Sequence, residues 1–307
     1  MEIFFTLLLK IIPLYLIIAL GFFAQKRLDV SKEPIARLLI YIIAPAVVFL
    51  GTYQAKLDTG MLILPFLTFF VGAFLLLITL FLGRFIWKDG TERIAAFSAG
   101  TGNTGYFGIP VCLALIGEDS LPVVVMATFG LIFLENTLGF YVVARSSHTA
   151  RQALRKVLTL PSFYAFLIGL SLNIFQVNLH TSFLDFFTAI KGAYPVLGMM
   201  MIGLGLAGMT MGHFDWKFTA TTFINKFLFW PVIILLVIYF DQNYFQVFSE
   251  LIYKVLIIES LVPLAANTVA YASELRAHPE KAALAVLAST VFALIYIPLM
   301  ILFLDIA

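Results

Sequence analysis

Gly100-Thr101-Gly102-Asn103-Thr104-Gly105-Tyr106-Phe107-Gly108-Ile109-Pro110 lies in the middle of an apolar stretch long enough to cross a bilayer. Glycine costs a helix interior about 1 kcal/mol relative to alanine, and proline about 3. Hydrocarbon tolerates interrupted backbone only where protein or a water-filled cavity surrounds it. A second interruption, carrying Pro263 and Asn267, falls in a later apolar stretch. Broken spans at matching places in two halves of a chain mark the binding site of a secondary transporter.

Composition agrees with a membrane setting. The 307 residues are 62% hydrophobic and 12% charged, with a mean hydropathy of +1.03. A soluble domain carries about 25% charged residues. The chain reads as an all-α polytopic membrane protein with no room for a sizeable soluble domain. A net charge of +2 gives no support to a nucleic-acid partner. The single cysteine, Cys112, excludes an internal disulfide. The first apolar run, Ile3 to Ala24, contains Lys10, is long for a signal peptide and lacks a small-x-small cleavage site, so it reads as a retained span.

Windows of about 20 apolar residues predict ten spans, at 3–24, 34–54, 61–87, 93–116, 121–144, 161–177, 190–211, 218–240, 248–274 and 281–304. Basic residues are unevenly distributed between the loops. Odd-numbered loops and their edges hold Lys26, Arg27, Lys32, Arg37, Arg84, Lys88, Arg93, Arg145, Arg151, Arg155, Lys156, Lys217, Arg276 and Lys281, whereas even-numbered ones hold Lys56 and Lys191. The positive-inside rule then puts the odd loops in the cytoplasm and both termini outside. The expected location is the cell (inner or plasma) membrane, with the lipid bilayer as partner.

The longest polar connection divides the chain into five spans at 1–145, a cytoplasmic linker at 146–160 and five spans at 161–307. Five is odd, so the second set is expected to lie inverted relative to the first. Prolines recur at matching ranks: Pro45 and Pro195 in spans 2 and 7, Pro65 and Pro231 in spans 3 and 8, Pro110 and Pro263 in spans 4 and 9.

Asn103-Thr104-x-x-x-Gly108-Ile109-Pro110 resembles the span-4 motif of the auxin efflux carrier family, in its short bacterial organic-acid form. Pro263 with Tyr271-Ala272-x-Glu274-x-x-x-His278-Pro279-Glu280 resembles the family's span-9 segment, and Leu204-Gly205-Leu206 its span-7 segment. The long hydrophilic loop of the plant carriers is absent, which argues against auxin as the substrate. The resemblance implies an inverted-repeat fold shared with bile-acid sodium symporters, in which spans 4 and 9 unwind and cross at Pro110 and Pro263. It implies a scaffold of spans 1, 2, 6 and 7, often dimeric, with a homodimer contact expected through spans 2 and 7. Spans 3–5 and 8–10 would move as a transport domain, elevator-like, carrying a small organic anion such as a mono- or dicarboxylate.

Unwinding at Asn103–Pro110 would free backbone N–H groups and create a helix N-terminus inside the membrane, with about +0.5 of partial charge that attracts a carboxylate without lysine or arginine. The substrate-binding candidates are therefore Asn103, Thr104, Gly105, Gly108 and Asn267. The alternative role of the two asparagines is an ordinary interhelical hydrogen bond, worth about 0.6 kcal/mol in membranes. Tyr106 and Phe107 read as core packing. Intramembrane acids are functional candidates by default: Glu135, followed by Asn136, in span 5, and Glu259, four residues before Pro263, in span 9. They are assigned to coupling, through a proton or a bound sodium ion. In the symporters that share the fold a comparable span-9 acid helps hold sodium. The plainer role for Glu259 is an ion pair with Lys254, Lys10 or Lys226. Gly208-x-x-x-Gly212 at the end of span 7 suits close helix approach, either within the chain or between copies.

Enzyme chemistry has little support. His148, His180, His213 and His278 fall in or near loops without metal-ligand spacing, and no phosphate-binding Gly-x-x-x-x-Gly-Lys-Ser/Thr loop is present. No cofactor is expected. The reading is a secondary carrier. Its rivals are an anion channel or uniporter on the same crossing, and a ligand sensor that does not translocate.

Overall fold

The computed structural model describes residues 2–144, 161–207, 215–275 and 277–304. The linker at 146–160, the basic residues Arg145, Arg151, Arg155, Lys156 and Arg276, and the Gly208–Gly212 pair lie outside the described residues, as do the side chains of Lys10, Lys32 and Glu274. Among the described residues there are helices and no strands.

Helical segments occupy each of the ten expected windows. Five are long and apolar enough to cross a bilayer: Thr59–Ile86, Ser120–Ala144, Thr181–Gly205, Trp216–Phe245 and Pro279–Phe303. Glu2–Leu28 is a further 27-residue helix. Where the windows end, turn chemistry ends them. Asp58 caps the third span through Met61 N–H at 2.8 Å. Asp215 caps the eighth through Phe218 N–H at 3.0 Å. Each supplies an oxygen to an otherwise unpaired first-turn donor.

Three prolines follow wide turns, whereas Pro13, Pro65, Pro195 and Pro298 sit inside continuous α-helices. Leu39–Ile43 is a π-turn just before Pro45, Thr104–Gly108 just before Pro110, and Asn225–Phe229 just before Pro231. Proline has no N–H to give and its ring crowds the carbonyl one turn back, so a locally wider helix relieves both. A fourth π-turn, Glu135–Gly139, has no proline after it.

The fourth and ninth windows hold broken helices. Thr91–Gly100 stops, residues 101–103 are non-helical, and the chain re-enters helix through Thr104–Gly108 and Ile109–Leu115. Glu250–Leu261 stops, residues 262–266 are non-helical, and Asn267–Glu274 resumes. Around these breaks the other helices pack at close range through small residues. A side chain at Gly203 would collide with the carbonyl of Ile18, and one at Gly21 with that of Met200, so spans 1 and 7 touch backbone to backbone. At Gly203 the small face of span 7 serves packing within the chain. Gly72 and Gly100 bring spans 3 and 4 equally close, and Gly130 meets the carbonyl of Pro65 between spans 5 and 3. Asn173 in span 6 donates to the carbonyls of Thr52, Tyr53 and Ala55, closing the end of span 2.

Candidate functional site

The two breaks meet. The backbone N–H of Asn103 donates to the carbonyl of Pro263 at 2.8 Å. Each break thus satisfies a group that the other has freed, as a dry interior requires. The remaining loose ends find side chains: Trp230 Nε1 donates to the carbonyl of Ala99 at 2.8 Å, and Ser289 Oγ accepts from the N–H of Leu264 at 3.2 Å.

Beside the crossing lies a cavity of about 540 Å³. Gly102, Asn103, Thr104 and Gly105 border it from one break, and Ala265, Ala266 and Asn267 from the other. Both re-entering helices therefore present their N-terminal ends to one space, the arrangement that favours negative charge. Asn103 initiates its wide turn with φ −77° and ψ 54°, and its side chain caps nothing.

Of the residues singled out in the sequence, Asn103, Thr104, Gly105, Asn267, Glu135 and Asn136 come together on this cavity. Asn267 Nδ2 donates to Glu135 Oε2 at 2.9 Å, and Tyr271 Oη donates to Asn136 Oδ1 at 2.7 Å, so span 5 is tied to the second half of span 9 by two polar contacts, the second of them buried. Gly108, Pro110, Pro263 and Glu259 do not line the cavity. Pro110 begins the helix after the break, and Pro263 takes part through its carbonyl. Tyr106 borders the cavity, whereas Phe107 is core.

Glu259 stands behind the cavity, 6% exposed, with neither carboxyl oxygen hydrogen-bonded to protein. Its Oε1 lies against the backbone of Gly108, where any side chain would collide with it. Thr128, whose hydroxyl is also unpartnered, flanks the group. Among the described residues Glu259 forms no ion pair within 4 Å. Lys226 instead donates to the backbone carbonyl of Glu259 at 3.4 Å.

The cavity lining contains no lysine or arginine among the described residues, and its one carboxyl group is Glu135. Four polar contributors, Thr128 among them, escaped sequence reasoning. Tyr194 lies immediately before Pro195, and its hydroxyl would be 3.0 Å from a Cβ on Gly105. Tyr41 and Ser162 border the cavity from spans 2 and 6. Only the place of Tyr194 beside a mid-span proline offered a signal.

Residues 6–147 match the family described as membrane transport protein. An uncharacterized transporter of Methanocaldococcus jannaschii is 26% identical over 307 aligned positions, which cover 95% of this chain and 97% of that one. Residues 6–147 are thus similar to the membrane transport protein family, and the resemblance drawn from the sequence is borne out, with a transporter similar to the chain from end to end.

Proposed function

We propose that this chain is a secondary active transporter of a small organic anion, a mono- or dicarboxylate, held between the helix ends at Thr104 and Asn267. The observation that carries the reading is the hydrogen bond from Asn103 N–H to the Pro263 carbonyl, which joins two broken helices beside a cavity of about 540 Å³. Two N-terminal ends contribute about half a positive charge each. Asn103 and Asn267 add amide donors. Glu135 is the one charged side chain of the lining. An anion and an ionised Glu135 would repel in this cavity, so Glu135 accepts a proton as the anion enters, which couples transport to the proton gradient.

Ten crossings with both termini outside, arranged as two inverted five-span repeats, would let the crossing face either side. Spans 1, 2, 6 and 7 form the scaffold, and spans 3–5 and 8–10 carry the site past it.

The test is flux of radiolabelled mono- and dicarboxylates into proteoliposomes, with an inward proton gradient or none. Saturation, counter-exchange and stimulation by the gradient support the reading. Large non-saturating currents would replace it with a channel, and tight binding without flux with a sensor.

A further inference from the structure

Lys226 is completely buried, in the π-turn Asn225–Phe229 of span 8, and has no place in the reading above. Its ammonium nitrogen lies 3.4 Å from the Glu259 carbonyl, and a Cβ on Gly102 would come within 2.6 Å of it. It also stands 4.7 Å from the ring centroid of Trp230, one helical turn on, a distance at which an aromatic face attracts a cation. Trp230 in turn donates to the Ala99 carbonyl. Span 8 thus reaches, with two neighbouring side chains, the carbonyl ends of both interrupted helices, Thr91–Gly100 and Glu250–Leu261. Those ends carry the negative pole of each half-helix. In carriers built on broken helices such ends and the unwound carbonyls hold the coupling cation.

We propose that Lys226 is a tethered cation. It occupies, from within the chain, the position against the freed carbonyl end of Glu250–Leu261 that a dissolved monovalent cation would otherwise fill, and the crossing assembles without sodium. The proposal shares the crossing with the transport reading, but its test measures cation binding and stability without any substrate, so either can fail alone.

Thermal melting of the purified chain in detergent, followed by tryptophan fluorescence, is compared in sodium chloride and choline chloride at equal ionic strength. Wild type is expected to melt at the same temperature in both. Lys226→Ala is expected to melt lower in choline and to regain stability, saturably, with sodium or ethylammonium chloride. Lys226→Met keeps the apolar stem and lacks the charge, and is expected to melt lower than wild type with neither cation restoring it. A saturable, sodium-specific rise in wild type would overturn the proposal, and that arm needs no variant to fold. Lys226→Met as stable as wild type, or Lys226→Ala indifferent to both cations, would overturn it as well.

Discussion

Asn103 and Asn267 hold equivalent places at the two breaks but differ in occupation. Asn267 is engaged with Glu135, while the side chain of Asn103 faces the cavity without a capping role. Truncating Asn103 therefore removes a donor to the substrate and little that holds the fold. Asn103→Ala is expected to weaken carboxylate binding about tenfold, which is about 1.4 kcal/mol, with melting temperature nearly unchanged; titration calorimetry and a melting curve measure both. Glu135→Gln retains an oxygen for Asn267 and loses the proton site. Carboxylate uptake by this variant should persist and stop responding to an imposed pH gradient. Uptake that still follows the gradient would remove Glu135 from coupling.

At the scale of the helix, close approach and interruption are written with the same two residue types. Gly203 packs its backbone on Ile18, so Gly203→Ala should force spans 1 and 7 apart, at about 1–3 kcal/mol. Gly205, two positions on, has no atom within 4 Å of its missing Cβ, and Gly205→Ala should stay within about 0.5 kcal/mol. Melting curves of the two variants in one detergent make the comparison. The breaks themselves were legible from sequence because glycine and proline act on their own backbone: Gly100–Pro110 and Pro263 interrupt the helix where they stand. Glu135, Asn136 and Asn267 were legible as intramembrane polar groups, though their mutual contacts were not. The π-turns before Pro45, Pro110 and Pro231 follow from proline sterics only once the carbonyl it crowds is placed. Tyr194 beside Pro195 and Lys226 as a partner for Glu259 were legible only in part, for a different reason. A tyrosine and a lysine in apolar windows gain meaning from Gly105, Gly102 and Glu259, which lie 33 to 124 positions away and are brought near by packing alone. Glu259, assigned to coupling from its place four residues before Pro263, is set by the fold behind the cavity and not on its lining.

Across the molecule, polar residues from three separate connections gather on one side. Lys281, at the start of the last helix, reaches Asp215 at 2.9 Å and Asp89 at 3.4 Å, joining the turns before spans 4, 8 and 10. Slight burial would raise Asp89, but hydrogen bonds from Thr91 and the charges of Lys281 and His278 outweigh it and hold the carboxyl at about 2. Burial acts the opposite way on each, but Asp215 is lowered by the hydrogen bond from Phe218 N–H and by the contact and charge of Lys281, and Lys281 is raised by Asp215 and Asp89. A lowered carboxyl stabilises the fold above its ordinary value of 3.8 and ceases to do so as pH falls toward 2, while a raised lysine keeps its contribution until pH passes above its folded value. The melting difference between wild type and Lys281→Met should therefore be flat from about pH 5 to pH 9 and shrink from about pH 4 to pH 2. The cluster also sets up the test of orientation. It belongs to the basic-rich odd connections that the positive-inside rule assigns to the cytoplasm. The native Cys112 is fully buried, so cysteines can be introduced without removing it. Lys56 and Asp119 are exposed in even connections, Lys88 and Lys217 in odd ones. With both termini outside, Lys56→Cys and Asp119→Cys react with a membrane-impermeant maleimide on intact cells, and Lys88→Cys and Lys217→Cys react only after permeabilisation. The reverse pattern would turn the molecule over, and labelling of a pair from opposite sides would break the count of crossings between them.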